Sequence, residues 1–132
     1  MRNRGGALQR TVLIVDDQVE VRAAFARLFT RLGWALIQAG NGPCAAAALR
    51  QMTPRIPDMI VSDVDMPGGG GVEFAETIAR DYPDYSGRIV FHSGAAVGDA
   101  ARAVFCLIGA KVLLKHDSFL AIKKMATEES MK

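Results

Sequence analysis

Residues 59–72 read MIVSDVDMPGGGGV, and this stretch decides the fold. Its first five residues have the length and bulky apolar composition of a buried strand. The run stops on Asp63, an acid whose charge a strand interior would strip of water at high cost. Pro67 and the glycines at 68–71 then break regular structure, and a helical pattern, VEFAETIARDY, follows at 72–82. Strand, polar end, loop and helix make one β/α unit.

Working outward, the same unit recurs four more times. On the N-terminal side, TVLIVDD at 11–17 precedes VEVRAAFARLFTRL at 19–32. There Val21, Phe25, Leu28, Phe29 and Leu32 recur at three- and four-residue steps until Gly33 supplies the stop. WALIQA at 34–39 leads to a helix opened by Pro43 through CAAAALRQM, bounded by Thr53, Pro54 and Pro57. On the C-terminal side, RIVFHS at 88–93 pairs with GDAARAVFCLI at 98–108, and KVLLK at 111–115 with SFLAIKKMATEE at 118–129. The strands are continuous apolar runs, as expected where helices cover both faces of a parallel sheet. Right-handed crossovers then leave an α/β fold, a doubly wound five-stranded parallel sheet, as the simplest solution. Such sheets gather all C-terminal strand ends on one edge, where ligands bind. Asp16, Asp17, Asp63, Ser93 and Lys115 each close one of these runs, so five distant polar residues converge.

The chain resembles the response-regulator receiver domain, the phosphoacceptor module of two-component signalling. LIVDDQ carries the likeness at the acidic pair, DMIVSDVDMPGGGG at the phosphoacceptor and its loop, VFHSGA at the hydroxyl, and GAKVLLK at the lysine. The stretch RIVFHSGAAVGDAARAVF through LLK looks most like receivers attached to hybrid histidine kinases. The resemblance implies a flavodoxin-like (βα)5 sheet of strand order 2-1-3-4-5, a flexible tail over 1–10 and a receiver domain over 11–130. It implies that Asp63 accepts a phosphoryl group from a histidine kinase or histidine phosphotransfer protein, changing affinity for an unknown downstream protein. Homodimerisation stays open. The module would be a phosphoacceptor that assists its own phosphorylation and dephosphorylation, not a turnover enzyme.

A carboxylate can act as nucleophile and become an acyl phosphate. A carboxylate cluster repels itself unless a cation joins it, and Mg2+ suits hard oxygen ligands and phosphate. By the resemblance, Asp17 and Asp63 are direct ligands, Asp16 a ligand directly or through water, and Asp65 a ligand through its backbone carbonyl. Ser93 matches a hydroxyl that donates to a phosphoryl oxygen, and Lys115 an ammonium that pairs with Asp63 and then with phosphate. Taken singly, each has an ordinary role as cap, turn former or solvated charge; their joint convergence carries the reading. Gly71 matches the family glycine that opens the third helix. The glycine run lacks the Gly-Lys-Ser/Thr ending of a nucleotide P-loop. His92 is expected in the core or partly exposed rather than as a ligand, and His116 has no assigned role.

Composition agrees with one soluble globular domain. The 132 residues carry 16 basic and 14 acidic side chains, and half are hydrophobic. No dense basic stripe speaks for nucleic acid, and the Arg/Gly start reads as a frayed tail. Cys44 and Cys106 make no framework or metal motif and are expected as reduced, partly buried thiols. The first apolar run is too short for a signal peptide or membrane span, so a cytoplasmic chain with no membrane contact is expected. No output domain is expected beyond the fifth helix.

Two other classes compete. A dehalogenase-type phosphatase also carries an Asp-x-Asp at a strand end, as in DVDMP, but normally on its first strand. A pseudo-receiver would be an interaction module without phosphorylation; the retained Asp17, Asp63, Ser93 and Lys115 speak against it. The chain departs from the receiver pattern at Val112, where an aromatic switch residue is usual, and at His116, where proline is usual. In the family that lysine–proline bond is typically cis. A non-proline cis bond costs roughly 2.5–4 kcal/mol, so the Lys115–His116 peptide is expected to be trans, with an altered loop after the fifth strand.

Overall fold

The computed structural model describes residues 9–132; most of the expected tail therefore lies outside the described residues. Five strands and five helices alternate: β1 Thr11–Val15, α1 Val19–Arg31, β2 Ala35–Ala39, α2 Gly42–Met52, β3 Met59–Asp63, α3 Gly71–Asp81, β4 Arg88–Ser93, α4 Asp99–Leu107, β5 Lys111–Leu114 and α5 Lys115–Ser130. All strand pairs are parallel, in the order β2-β1-β3-β4-β5. The expected sheet is the observed one.

Alternation along each strand divides the core into two layers. Val12, Ile14, Val61 and Val90 pack with Phe25, Phe29, Ile122 and Met125 from α1 and α5. Leu13, Val15, Ile60, Ile89 and Phe91 pack on the other face with residues of α2, α3 and α4, among them Leu49, Phe74, Ile78 and Phe105. Burying both faces explains why the strands read as unbroken apolar runs.

Helix starts differ in how they are satisfied. Asn41 caps α2 by accepting the Cys44 backbone N–H at 2.8 Å, with Pro43 in the first turn. The α1 start at Gln18 has no side-chain cap of its own; its N–H donates back to Asp16 Oδ1 at 2.9 Å. That bond ties the helix to the end of β1.

The largest departure from expectation lies after β5. The strand ends on Leu114 and α5 begins on Lys115, three residues before the expected start at Ser118. A residue preceding proline is pushed out of the helical region by the ring; His116 lifts that restriction, so Lys115 can take helical backbone. The Lys115–His116 peptide is trans, as expected. The cysteines also need correcting, because both are exposed. Each sits one helical step from a buried partner, Cys44 beside Ala45 and Cys106 beside Phe105, and that rotation of about 100° turns the thiol outward.

Gly71 starts α3 with its backbone packed against the end of β3. A Cβ there would lie 2.7 Å from the Asp63 carbonyl oxygen, 2.9 Å from Val64 Cα and 3.1 Å from the Phe91 ring. Two of those neighbours are backbone, so the β3–α3 connection must move to admit any side chain. Gly71→Ala is expected to destabilise the protein by about 1–3 kcal/mol, the range for overpacking. Urea denaturation checks this; an unchanged midpoint would show that the contact is not limiting.

Candidate acidic site at the sheet edge

The C-terminal ends of β1 and β3 place Asp16, Asp17 and Asp63 together, with one carboxylate oxygen from each within 4.8 Å of the others. Asp16 and Asp63 are fully buried and Asp17 is exposed. Burial of two acids so close is unfavourable unless donors compensate. Asp16 Oδ1 has the Gln18 N–H, while its main-chain carbonyl accepts the Arg22 guanidinium at 2.6 Å. Asp63 Oδ1 accepts the Asp65 N–H at 3.3 Å, and Asp63 Oδ2 accepts Lys115 Nζ at 3.2 Å. Lys115 reaches in from the first residue of α5 and keeps about a third of its side chain in solvent (32 %).

These donors do not fully offset the crowding. Burial, and then the charge of Asp16, push the Asp63 carboxyl above its ordinary value; Lys115 and the Asp65 N–H pull the other way and lose. A bound cation would remove that imbalance, and an all-carboxylate set matches hard divalent ions. The donor set therefore fits the expected metal.

Ser93 is buried at the end of β4. Its hydroxyl donates to Asp65 Oδ2 at 3.4 Å and accepts the Ala95 N–H at 3.3 Å. Sequence reasoning placed the hydroxyl here but did not foresee that the Asp65 side chain would engage it. The glycine loop is packed against the start of α2, where Gly42 N–H donates to the Gly69 carbonyl at 3.0 Å. Gly68 and Gly69 take positive φ, as a tight turn needs. His116 is exposed, with Nε2 3.2 Å from Asp117 Oδ2.

One neighbour of the cluster is a residue expected in the core or partly exposed, with no part in the site. His92, 2 % exposed, lies with Nε2 3.3 Å from Asp16 Oδ2. Strand parity could have signalled it: Asp63 and His92 are register partners, and Asp16 continues the face of β1 that carries Val12 and Ile14.

Comparison with known proteins adds family context. The family model described as the response regulator receiver domain matches residues 12–126. Among curated relatives, the CAI-1 autoinducer sensor kinase/phosphatase CqsS of Vibrio cholerae is 30 % identical over 58 % of this chain and 11 % of its own length. Protein-glutamate methylesterase/protein-glutamine glutaminase 1 of Cereibacter sphaeroides is 35 % identical over 63 % of this chain and 22 % of its own. Sporulation initiation phosphotransferase F of Bacillus subtilis is 35 % identical over 50 % of this chain and 51 % of its own. The chain thus spans about half or less of the length of each of these relatives. Among solved structures, the CheX-CheY-BeF3-Mg+2 complex of Borrelia burgdorferi aligns at a TM-score of 0.77, with 22 % identity, covering 99 % of this chain and 96 % of that one. TrrA of Thermotoga maritima, in complex with Mg(2+)-BeF, aligns at 0.69, with 21 % identity and coverage of 91 % and 98 %.

Asp63→Asn is expected to melt at a higher temperature than the unaltered protein at neutral pH without divalent cations. A raised carboxyl pKa stabilises the fold fully below the ordinary value of 3.8, and that stabilisation is lost as pH rises through the folded value. The advantage of asparagine should therefore appear only above that range. A lower melting temperature at neutral pH would contradict the charge crowding.

Proposed function

The chain belongs to the response regulator receiver domain family, and we propose on that premise that Asp63 is the acceptor of a phosphoryl group from a phosphohistidine. The observation that carries the reading is the buried Asp63 carboxylate held between Lys115 and two further acids. An Asp63 oxygen attacks phosphorus while the bond from phosphorus to the donor's imidazole nitrogen breaks. The electron pair of that bond leaves with the imidazole, and Asp63 becomes an acyl phosphate. Lys115 follows the charge from the carboxylate to the phosphoryl oxygens. Ser93 exchanges its contact with Asp65 for one with a phosphoryl oxygen.

Asp16, Asp17 and Asp63, with the backbone carbonyl of Asp65, are the residues that would hold Mg2+. When bound, the ion supplies positive charge that stabilises the transferring phosphoryl group. The donor would be a histidine kinase or a histidine phosphotransfer protein, and the modified chain would bind a downstream protein differently. No helix among the described residues is long and apolar enough to cross a membrane; this reading places the chain in the cytoplasm with its donor.

Incubation with acetyl phosphate and Mg2+ should add one phosphoryl group by intact mass, the P–O bond of the donor breaking as acetate leaves. Asp63→Asn should show no adduct, and excess chelator should abolish it. An adduct that survives either change would remove Asp63 or the cation from the reaction. Many turnovers of a phosphomonoester would instead indicate a phosphatase, and no adduct a pseudo-receiver.

On the same reading Asp65 governs the lifetime of the acyl phosphate, which the contact of its side chain with the Ser93 hydroxyl supports. Asp65→Asn should change the dephosphorylation rate several-fold, about five-fold for each kcal/mol of barrier. Equal decay of the two acyl phosphates would take the Asp65 carboxylate out of this step.

A further inference from the structure

The geometry assigns His92 as a positioning residue that orients Asp16 for cation binding by donating Nε2–H to Asp16 Oδ2. This rests on the proposed metal-dependent phosphoacceptor reading and adds a residue to it. His92 lies on β4, almost wholly buried, with Phe25 edge-on to its ring at 5.7 Å between centroids. Neither ring nitrogen has a well-formed hydrogen bond, and neither does Asp16 Oδ2. These orphaned atoms include the one close pair, Nε2 and Oδ2, at 3.3 Å. A buried polar group left without a partner is costly, so a small adjustment that completes the bond is favoured.

A neutral imidazole carries one N–H, and its partner decides the tautomer. Asp16 Oδ2 can only accept, so the proton belongs on Nε2. The bond has a consequence for the cluster. Asp16 Oδ1 is already held by the Gln18 N–H. With Oδ2 held by His92, the carboxylate plane is locked and its remaining lone pairs face the cluster. Asp17 is exposed, and no hydrogen bond to its carboxylate comes from the described residues. Partners that orient a ligand in this way typically contribute 10–100-fold to metal affinity.

A merely structural histidine gives a different pattern on substitution. Both His92→Leu and His92→Gln lose the ring packed on Phe25, but only glutamine keeps an N–H donor at similar reach. Calorimetric titration with MgCl2 should show a Kd about ten-fold weaker for His92→Leu, and a Kd within about three-fold of the unaltered protein for His92→Gln. Equal affinity in all three proteins, or equal weakening in both variants, would overturn the assignment while leaving the phosphoacceptor reading intact. Absence of Mg2+ binding by the unaltered protein would overturn both. A measurement on the unaltered protein covers the case in which His92→Leu does not fold. The chain has two histidines, so long-range proton–nitrogen NMR correlations identify each tautomer. His92 should be the Nε2–H form, and an Nδ1–H form would refute the bond.

Discussion

Two fully buried carboxylates at neighbouring strand ends, Asp16 and Asp63, set the terms for the rest of this structure. Left alone they would repel strongly in a region that water does not reach. Each hydrogen bond to their carboxylates acts against that repulsion: those of the Gln18 and Asp65 N–H groups and of Lys115. The compensation is incomplete, which is why the Asp63 carboxyl is still pushed upward. A site balanced in this way favours the arrival of positive charge, and it keeps the Asp63 carboxylate buried and oriented.

Delivery of Lys115 shows how that constraint overrides local preference. A lysine at the first position of a helix sits at the positive end of the macrodipole, unfavourable by about 0.3–1 kcal/mol. The Asp63 partner at 3.2 Å outweighs this, and Asp117 in the same first turn softens it. Ser118 donates to the Lys115 carbonyl at 2.9 Å and tightens the turn. With helix following strand directly, the ammonium is carried by a rigid element rather than a loop. Nearby, Val112 stands where receivers usually have an aromatic residue. It pairs in register with Phe91, which stacks on Phe105 at 4.4 Å between centroids. The aromatic contact at this side of the sheet therefore comes from β4 and α4.

The loop after Asp63 completes the arrangement from the other side. Gly71 lets the start of α3 pass against the Asp63 backbone, and its N–H donates to the Val64 carbonyl at 2.8 Å. That close approach holds the strand end, so the carboxylate projects from a fixed base. The same loop turns Asp65 toward Ser93, coupling the hydroxyl to the residue two positions after Asp63.

The sheet, its strand order and the convergence of Asp16, Asp17, Asp63, Ser93 and Lys115 were legible in the chain. Apolar runs, their polar ends and β/α alternation are local properties that constrain a parallel sheet almost completely. Strand boundaries at 59–63 and 88–93 fell where the apolar composition changes. Other features were not legible. The helical start at Lys115 depends on backbone freedom restored by His116 and on the pull of Asp63, which lies 52 positions away. The exposure of Cys44 and Cys106 depends on helix rotation against the sheet. The meeting of His92 with Asp16 spans β1 to β4 across the intervening β3, and the contact of Ser93 with Asp65 joins the end of β4 to the loop after β3. Composition and periodicity determine which face a residue takes. Which polar atoms on that face come within bonding distance is decided by sheet register and side-chain rotamer, and those exist only once the strands have packed.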